Sequence, residues 1–155
     1  KNYIYRAWVL ASGLKQAEAA GNLYRRVVSM TDNVEADEET DAVDKKEKLA
    51  LSVVNSYRNF ALLFSGDKAA AVKWTDDIQR DYRDTDGYLS FMAACLYAQA
   101  DEKDKAFAAL DKALSLGYGN LYELTTADYG RVSLAPIRSD ERFNAMLAKY
   151  AHLFE

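Results

Sequence analysis

The chain has 155 residues, of which 50% are hydrophobic and 28% charged, which is typical of one domain with a buried core. Its 20 basic and 24 acidic residues leave a net charge of −4. This argues against a general nucleic-acid binder, because such proteins bind through a basic face. With 1 Cys and 1 His, an internal disulfide is excluded and a zinc cage is not expected.

Helices are favoured along the whole chain, because it has 7 Gly, 1 Pro and no recognisable β-hairpin pattern. The most apolar stretch, residues 49–64, is interrupted by Ser, Asn and Arg and is shorter than the ~20 apolar residues of a membrane helix. We therefore predict an all-α, soluble protein without membrane insertion, forming a single helical domain over residues 1–155. Because the chain starts at Lys1, we expect a mature form or a fragment.

The N-terminal segment, residues 3–33, carries apolar side chains at helical spacing. The spacing continues through Gly21, which favours one helix over about 3–32, whereas a tight turn at Gly21-Asn22 would divide the segment into a helix pair. Its aromatic residues are expected mainly in the core, with an exposed interface patch as the alternative. They are Tyr3, Tyr5, Trp8 and Tyr24.

An acidic connection is predicted over residues 31–44. Between residues 31 and 48 there are eight acidic residues and three lysines. We interpret this segment as a solvated loop, the alternative being an acidic docking surface. Asp44 with Glu47 has the spacing of a capping box and indicates where the next helix begins.

A helix pair is predicted over residues 45–83. Its first helix should end at Ser65-Gly66, and Asp67 should cap the second helix. We expect the second helix to present one apolar face to the core. That face consists of Ala70, Ala71, Trp74, Ile78 and Tyr82.

A second pair is predicted over residues 87–117, with its turn at residues 101–104 and a stop at Gly117. Residues 118–138 are irregular and contain the only proline, Pro136. A last helix is predicted over residues 139–154, capped by Ser139. Its apolar stripe consists of Phe143, Leu147, Tyr150 and Phe154.

The second pair carries a pattern of large and small residues. Tyr97 is followed nine residues later by Ala106, then by Leu110 and Ala113. This spacing resembles a tetratricopeptide repeat, in which small residues let two helices approach closely. Residues 54–83 resemble a second unit, with Ala70 and Trp74 at the corresponding positions.

The segment from Leu134 to Phe143 resembles one that often closes tetratricopeptide arrays in bacterial proteins. The resemblance implies antiparallel helix pairs stacked as a short right-handed α-solenoid, ending in a C-terminal capping helix over residues 139–154. It also implies a bacterial protein of the cytoplasm or the periplasm.

The resemblance further implies that the first helix of each pair lines a concave groove for a peptide or a partner helix. Amide side chains can bind a peptide backbone, Arg can hold a carboxylate, and aromatic side chains supply contact area. For the aromatic positions, the alternative is packing in the core. The expected groove residues are Asn55, Arg58, Asn59, Tyr88, Phe91 and Gln99, with Leu62, Cys95 and Ala98 beside them.

No residue pattern indicates catalysis. The sequence has no glycine-rich phosphate loop and no zinc-protease or nucleophile-elbow motif. Cys95 has no histidine nearby in sequence, and Asp76-Asp77 lacks the spacing of a magnesium motif. We therefore expect no enzyme activity, no metal and no cofactor.

The function we expect is a non-catalytic protein–protein interaction module, a scaffold or adaptor that is a monomer or a weak dimer. The alternative is structural: a self-associating helical domain, or a fragment that packs on another domain of a larger protein. A small-molecule site between helices is a third possibility.

Overall fold

A computed structural model describes residues 17–31, 45–128 and 131–155. No β-strand occurs in these ranges, so the predicted all-α class is confirmed for them. Contacts divide the chain into two compact units, Lys1–Tyr82 and Arg83–Glu155. The helices are α1 (Ala17–Thr31), α2 (Lys45–Ser65), α3 (Lys68–Asp81), α4 (Tyr88–Gln99), α5 (Lys103–Ser115), α6 (Leu121–Thr125) and α7 (Glu141–Lys149), with 3-10 turns at Ala135–Ile137 and Ala151–Leu153.

In the first unit, α2 packs against both α1 and α3. Aromatic rings of α1 and α2 form part of this core. The ring centroids of Tyr24 and Phe64 are 5.5 Å apart, and those of Phe64 and Phe60 are 5.9 Å apart. Tyr24 is buried, as expected for a core aromatic. The other N-terminal aromatic residues, Tyr3, Tyr5 and Trp8, lie outside the described residues.

Helix α1 runs through Gly21 and Asn22, so the alternative of a tight turn at this point is wrong. A glycine inside a helix costs only about 1 kcal/mol relative to alanine, which packing against α2 can offset. Residues 3–16, the acidic connection over residues 32–44 and the predicted Asp44 cap lie outside the described residues.

The turn between α2 and α3 follows the sequence prediction. Helix α2 ends at Ser65, and Gly66 adopts a φ of +104°, a conformation that favours glycine. The Asp67 side chain accepts a hydrogen bond of 3.0 Å from the Ala70 amide, which confirms it as the N-cap of α3.

The predicted apolar face of α3 is wrong at Trp74, whose side chain is 41% exposed. The buried residues of this helix are Ala71, Thr75 and Ile78. Thr75 accepts a hydrogen bond of 3.1 Å from the buried Asn59 amide of α2. This bond directs the Thr75 side chain inward. Because neighbouring residues of a helix are about 100° apart around its axis, Trp74 points away from the core, toward solvent.

In the second unit, α4 packs against α5, and the three-residue connection makes the two helices antiparallel. Residues 89–98 of α4 are all buried. The small residues Ala106 and Ala113 of α5 are fully buried, as is Leu110 between them. Helix-pair packing is therefore confirmed in both units.

Helix α4 begins at a constrained point. The buried Asp84 carboxylate accepts hydrogen bonds from the Gly87 amide at 3.1 Å and the Ser90 amide at 2.7 Å. Gly87 has a φ of +80°, and a Cβ atom there would lie 2.3 Å from the carbonyl oxygen of Ala113. The absence of a side chain at Gly87 thus permits the close approach of α4 to α5.

The chain after α5 returns across α4. The Tyr118 ring stacks on Phe91 with centroids 4.4 Å apart, and the 3-10 turn Ala135–Ile137 packs against α4. The Arg138 side chain donates hydrogen bonds to carbonyls around the end of α6, including Leu124 at 3.0 Å and Ala127 at 2.6 Å. The closing segment therefore anchors α6 through its arginine.

The predicted cap of the last helix is wrong by one residue. The 3-10 turn Ala135–Ile137 ends at its C-cap Arg138, and α7 begins only at Glu141. Asp140 accepts the capping bond from the Arg142 amide at 3.1 Å. The helix also ends earlier than predicted, at Lys149.

Helix α7 is joined to α5 by polar contacts. Arg142 pairs with Asp104 at 2.9 Å, and its guanidinium lies 4.2 Å from the Phe107 ring centroid. Lys149 pairs with Asp111 at 2.7 Å. Because the Phe143 side chain is buried, its apolar packing stabilises α7 more than these exposed ion pairs do.

Gly87→Ala should destabilise the second unit strongly. The new Cβ would collide with the Ala113 carbonyl in a left-handed conformation, so we expect the free energy of unfolding to fall by about 3 kcal/mol or more. Gly117→Ala is the matched control, because its φ is +94° but nothing lies within 4 Å of the new Cβ. It should cost only about 1 kcal/mol. If urea unfolding showed the same decrease in the free energy of unfolding for both variants, α4 and α5 would not approach each other so closely.

Asp140 should contribute a pH-dependent part of the stability. The side-chain hydrogen bond from Arg142 is the main cause that lowers the pKa of the Asp140 carboxyl from 3.8 to about 2. A lowered pKa in the folded state stabilises the fold above pH 3.8, and this contribution disappears as the pH falls toward 2.

The pair of variants Asp140→Asn and Arg142→Gln tests this contribution by thermal unfolding across that pH range. Asn can still cap α7, so Asp140→Asn keeps the cap but removes the charge and one of the two oxygens that accept from the Arg142 guanidinium. Each variant should be less stable than the parent at neutral pH, and the differences should shrink below pH 3.8. A difference that stays constant down to pH 2 would contradict the interpretation.

Candidate functional site

Asn59, an expected groove residue of the first unit, belongs to the core. Its side chain is 1% exposed and donates its hydrogen bond to Thr75 of α3. The expectation that it lines an open groove is therefore wrong. A buried amide needs a hydrogen-bond partner, and the neighbouring helix supplies one.

Arg58, by contrast, lies beside an exposed aromatic ring. Its guanidinium is 5.1 Å from the Trp74 ring centroid, and the Lys73 ammonium is also 5.1 Å from that centroid. Asn55 is half-buried and lies three residues before Arg58, so both face the same side of α2. We call Asn55, Arg58, Lys73 and Trp74 the Arg58–Trp74 surface.

Asp77 and Asp81 of α3 are held in ion pairs. Asp77 pairs with Lys73 at 2.8 Å and with Arg80 at 2.9 Å, and Arg80 also pairs with Asp81 at 2.7 Å. The side-chain hydrogen bond from Lys73 is the main cause that lowers the pKa of Asp77. In the parts of the chain that the structure describes, no cluster of three Asp, Glu, His or Cys residues could hold a metal ion.

In the second unit, most of the expected groove positions on α4 are covered. Phe91 is buried beneath Tyr118, and Cys95 and Ala98 are buried as well. The half-buried Gln99 donates its amide hydrogen bond to the Ser133 carbonyl at 3.3 Å. The chain's own segment after α5 thus occupies this face, and the expectation of an open groove is wrong at these positions.

Cys95 has the environment of a core residue. Its side chain is fully buried, and burial is the main cause that raises the pKa of its thiol well above the ordinary value. A protonated, inaccessible thiol is a poor nucleophile.

Tyr88, an expected groove residue of α4, remains partly accessible, as Gln99 does, and it belongs to a second cluster. Its ring centroid lies 6.2 Å from that of Tyr118, whose hydroxyl donates a hydrogen bond to the Glu123 carboxylate. Burial is the main cause that raises the pKa of the Tyr118 hydroxyl, and the hydrogen bond to Glu123 is the second cause. The phenol therefore stays a neutral donor. We call Tyr88, Tyr118 and Glu123 the Tyr–Glu cluster.

Sequence reasoning missed the roles of several residues. Trp74 fits a helical stripe by spacing, and only the polar Thr75 beside it hints that the helix is rotated. Tyr118 and Glu123 fall in an irregular stretch where periodicity gives no signal. Arg138 stands inside the closing segment, but its carbonyl partners precede it by 11 to 15 residues.

No protein-family model matches the chain, and neither a curated protein nor a solved structure matches it. Over the residues described, no helix has the length and apolar character needed to cross a membrane.

Asn59→Ala tests the assignment of this residue to the core. Loss of the hydrogen bond to Thr75 should lower the free energy of unfolding by about 2 kcal/mol. The control is Asn55→Ala on the same helix, which should change that energy by less than about 0.5 kcal/mol. Urea unfolding measures both, and a neutral Asn59→Ala would contradict the core assignment.

Proposed function

We propose that this protein is a non-catalytic protein–protein interaction module, a scaffold or adaptor that binds a peptide or a partner helix. In this proposal, the helix pairs stack as a short tetratricopeptide-like solenoid closed by α7. The burial of Tyr97, Ala106, Leu110 and Ala113 supports it, because these positions define the repeat pattern. The binding surface we propose lies on α2 and α3.

The observation that carries the proposal is the exposure of Trp74 beside Arg58. Tryptophan and arginine are the residues most enriched among the energetically dominant positions of protein interfaces. Trp74 is 41% exposed and has cations within 5.1 Å of its ring centroid. Contacts that hold a ring in place before binding reduce the entropy lost when a partner docks.

The arrangement also supports a particular division of roles on this surface. Trp74 would provide apolar contact area, and Arg58 and Asn55 would provide hydrogen bonds to a partner's carboxylate or backbone. A partner that covers the ring would remove water from the guanidinium contact and strengthen it.

Trp74→Ser tests the proposed surface. The tagged chain, the variant and the control Leu116→Ser are used to capture proteins from lysate, and captured proteins are quantified by mass spectrometry. Leu116 is 37% exposed and belongs to the other compact unit. We expect the control to capture the specific partners in the same amounts as the parent chain. Trp74→Ser should capture about 30-fold less of them, or lower still. Equal capture by all three proteins would contradict the proposal.

Light scattering at high protein concentration separates the adaptor from the self-associating alternative. A monomer with intact partner capture is expected for an adaptor. A dimer that dissociates in the Trp74→Ser variant would instead show that the surface binds a second copy of the chain.

A further inference from the structure

The Glu123 carboxylate differs from the acidic groups that pair within the chain. Asp77 binds Lys73 at 2.8 Å, and Asp111 binds Lys149 at 2.7 Å. Among the residues described, no lysine or arginine pairs with the carboxylate of Glu123, whose side-chain partner is the neutral hydroxyl of Tyr118. Its charge is therefore not balanced by a direct ion pair.

Arg138 lies close to Glu123 but is directed elsewhere. Its guanidinium donates to backbone carbonyl oxygens, at 3.4 Å to Glu123, 3.0 Å to Leu124 and 2.6 Å to Ala127. These bonds fix the position of α6, and hence of Glu123, while leaving the carboxylate oxygens to other partners.

The Tyr118 ring links this carboxylate to a second aromatic ring, that of Tyr88. Tyr118 connects the elements, because its hydroxyl binds Glu123 and its ring lies 6.2 Å from Tyr88 at an interplanar angle of 46°. Tyr88, Tyr118 and Glu123 are all half-buried, so solvent reaches each of them. Ring faces and a carboxylate both attract cations, and partial burial reduces the screening of this attraction.

We propose that the Tyr–Glu cluster is a binding site for an alkylammonium group, the lysine side chain of a protein partner. The Tyr118 hydroxyl occupies one carboxylate oxygen, Oε2, and leaves Oε1 for a ligand. A compact ammonium can bind a single oxygen, whereas a guanidinium binds best when both oxygens are available.

The site stands independently of the proposed adaptor surface. The Tyr–Glu cluster belongs to the Arg83–Glu155 unit, and the Arg58–Trp74 surface belongs to the Lys1–Tyr82 unit. Loss of binding at one would therefore not imply its loss at the other.

The test is an amide-detected NMR titration of the full chain with n-butylammonium, n-butylguanidinium and the neutral n-pentanol. We expect saturable shifts with n-butylammonium at millimolar concentration, centred on residues 88 and 118–123 and weakened by added salt. The guanidinium should bind more weakly, and n-pentanol should not produce these shifts. No localised shifts at tens of millimolar, equal shifts with n-pentanol, or tighter binding of the guanidinium would overturn the proposal.

Glu123→Gln is the decisive variant, because an amide oxygen can still accept the Tyr118 hydrogen bond while the charge is lost. It should unfold at a temperature close to that of the parent chain and bind n-butylammonium at least about tenfold more weakly. The matched control is Glu141→Gln, an exposed acidic residue of α7, which should bind like the parent. Unchanged binding by Glu123→Gln would refute the site.

Tyr88→Leu separates the ring from the charge. It keeps an apolar side chain at this position but removes the aromatic face, so n-butylammonium should bind several-fold more weakly in a chain that still folds. Binding that is unaffected by this variant would remove the aromatic contribution from the site.

Discussion

The burial of residues 89–98 of α4 is the constraint on which the second unit depends. A helix whose residues 89–98 are all buried offers no face to water, so other segments must cover it. Helix α5 covers one side, and its close approach requires glycine at position 87. The chain after α5 adds the Tyr118 ring and the 3-10 turn containing Pro136. Arg138 then fixes α6 through backbone carbonyls, which explains why an arginine stands at this point of the closing segment.

This coverage determines where a partner could bind. In an open helical repeat, the first helix of a pair would be free to line a groove. Here Phe91, Cys95 and Ala98 are in the core of the unit instead, and the segment that covers them brings Tyr118 and Glu123 to Tyr88. The irregular stretch thus removes one candidate surface and creates another of different chemistry, in which a carboxylate stands beside aromatic rings.

Charge is distributed differently on the two candidate surfaces. Around Trp74 the cations Arg58 and Lys73 lie against the ring, and Lys73 is also paired with Asp77. Around Tyr118 the charged group is an acid whose side-chain hydrogen bond comes from a neutral phenol. The first surface therefore suits carboxylates, backbone groups and apolar contact, whereas the second suits a cation. A partner that used both would present groups of opposite charge to the two units.

The sequence by itself determined the helical class, the approximate limits of α2 to α5, the Asp67 cap and the turn at Gly66, because helical spacing and turn chemistry are local properties. It also indicated the small residues Ala106 and Ala113 that allow close packing. Only the tertiary structure decided that Trp74 faces solvent, that Asn59 is buried, and that Phe91 is covered. These outcomes depend on the rotation of each helix about its axis. That rotation is set by the hydrogen bond between Asn59 and Thr75, which are 16 residues apart, and by the contact of the Tyr118 ring with Phe91. The spacing of apolar residues within one helix does not depend on these contacts and therefore does not predict them.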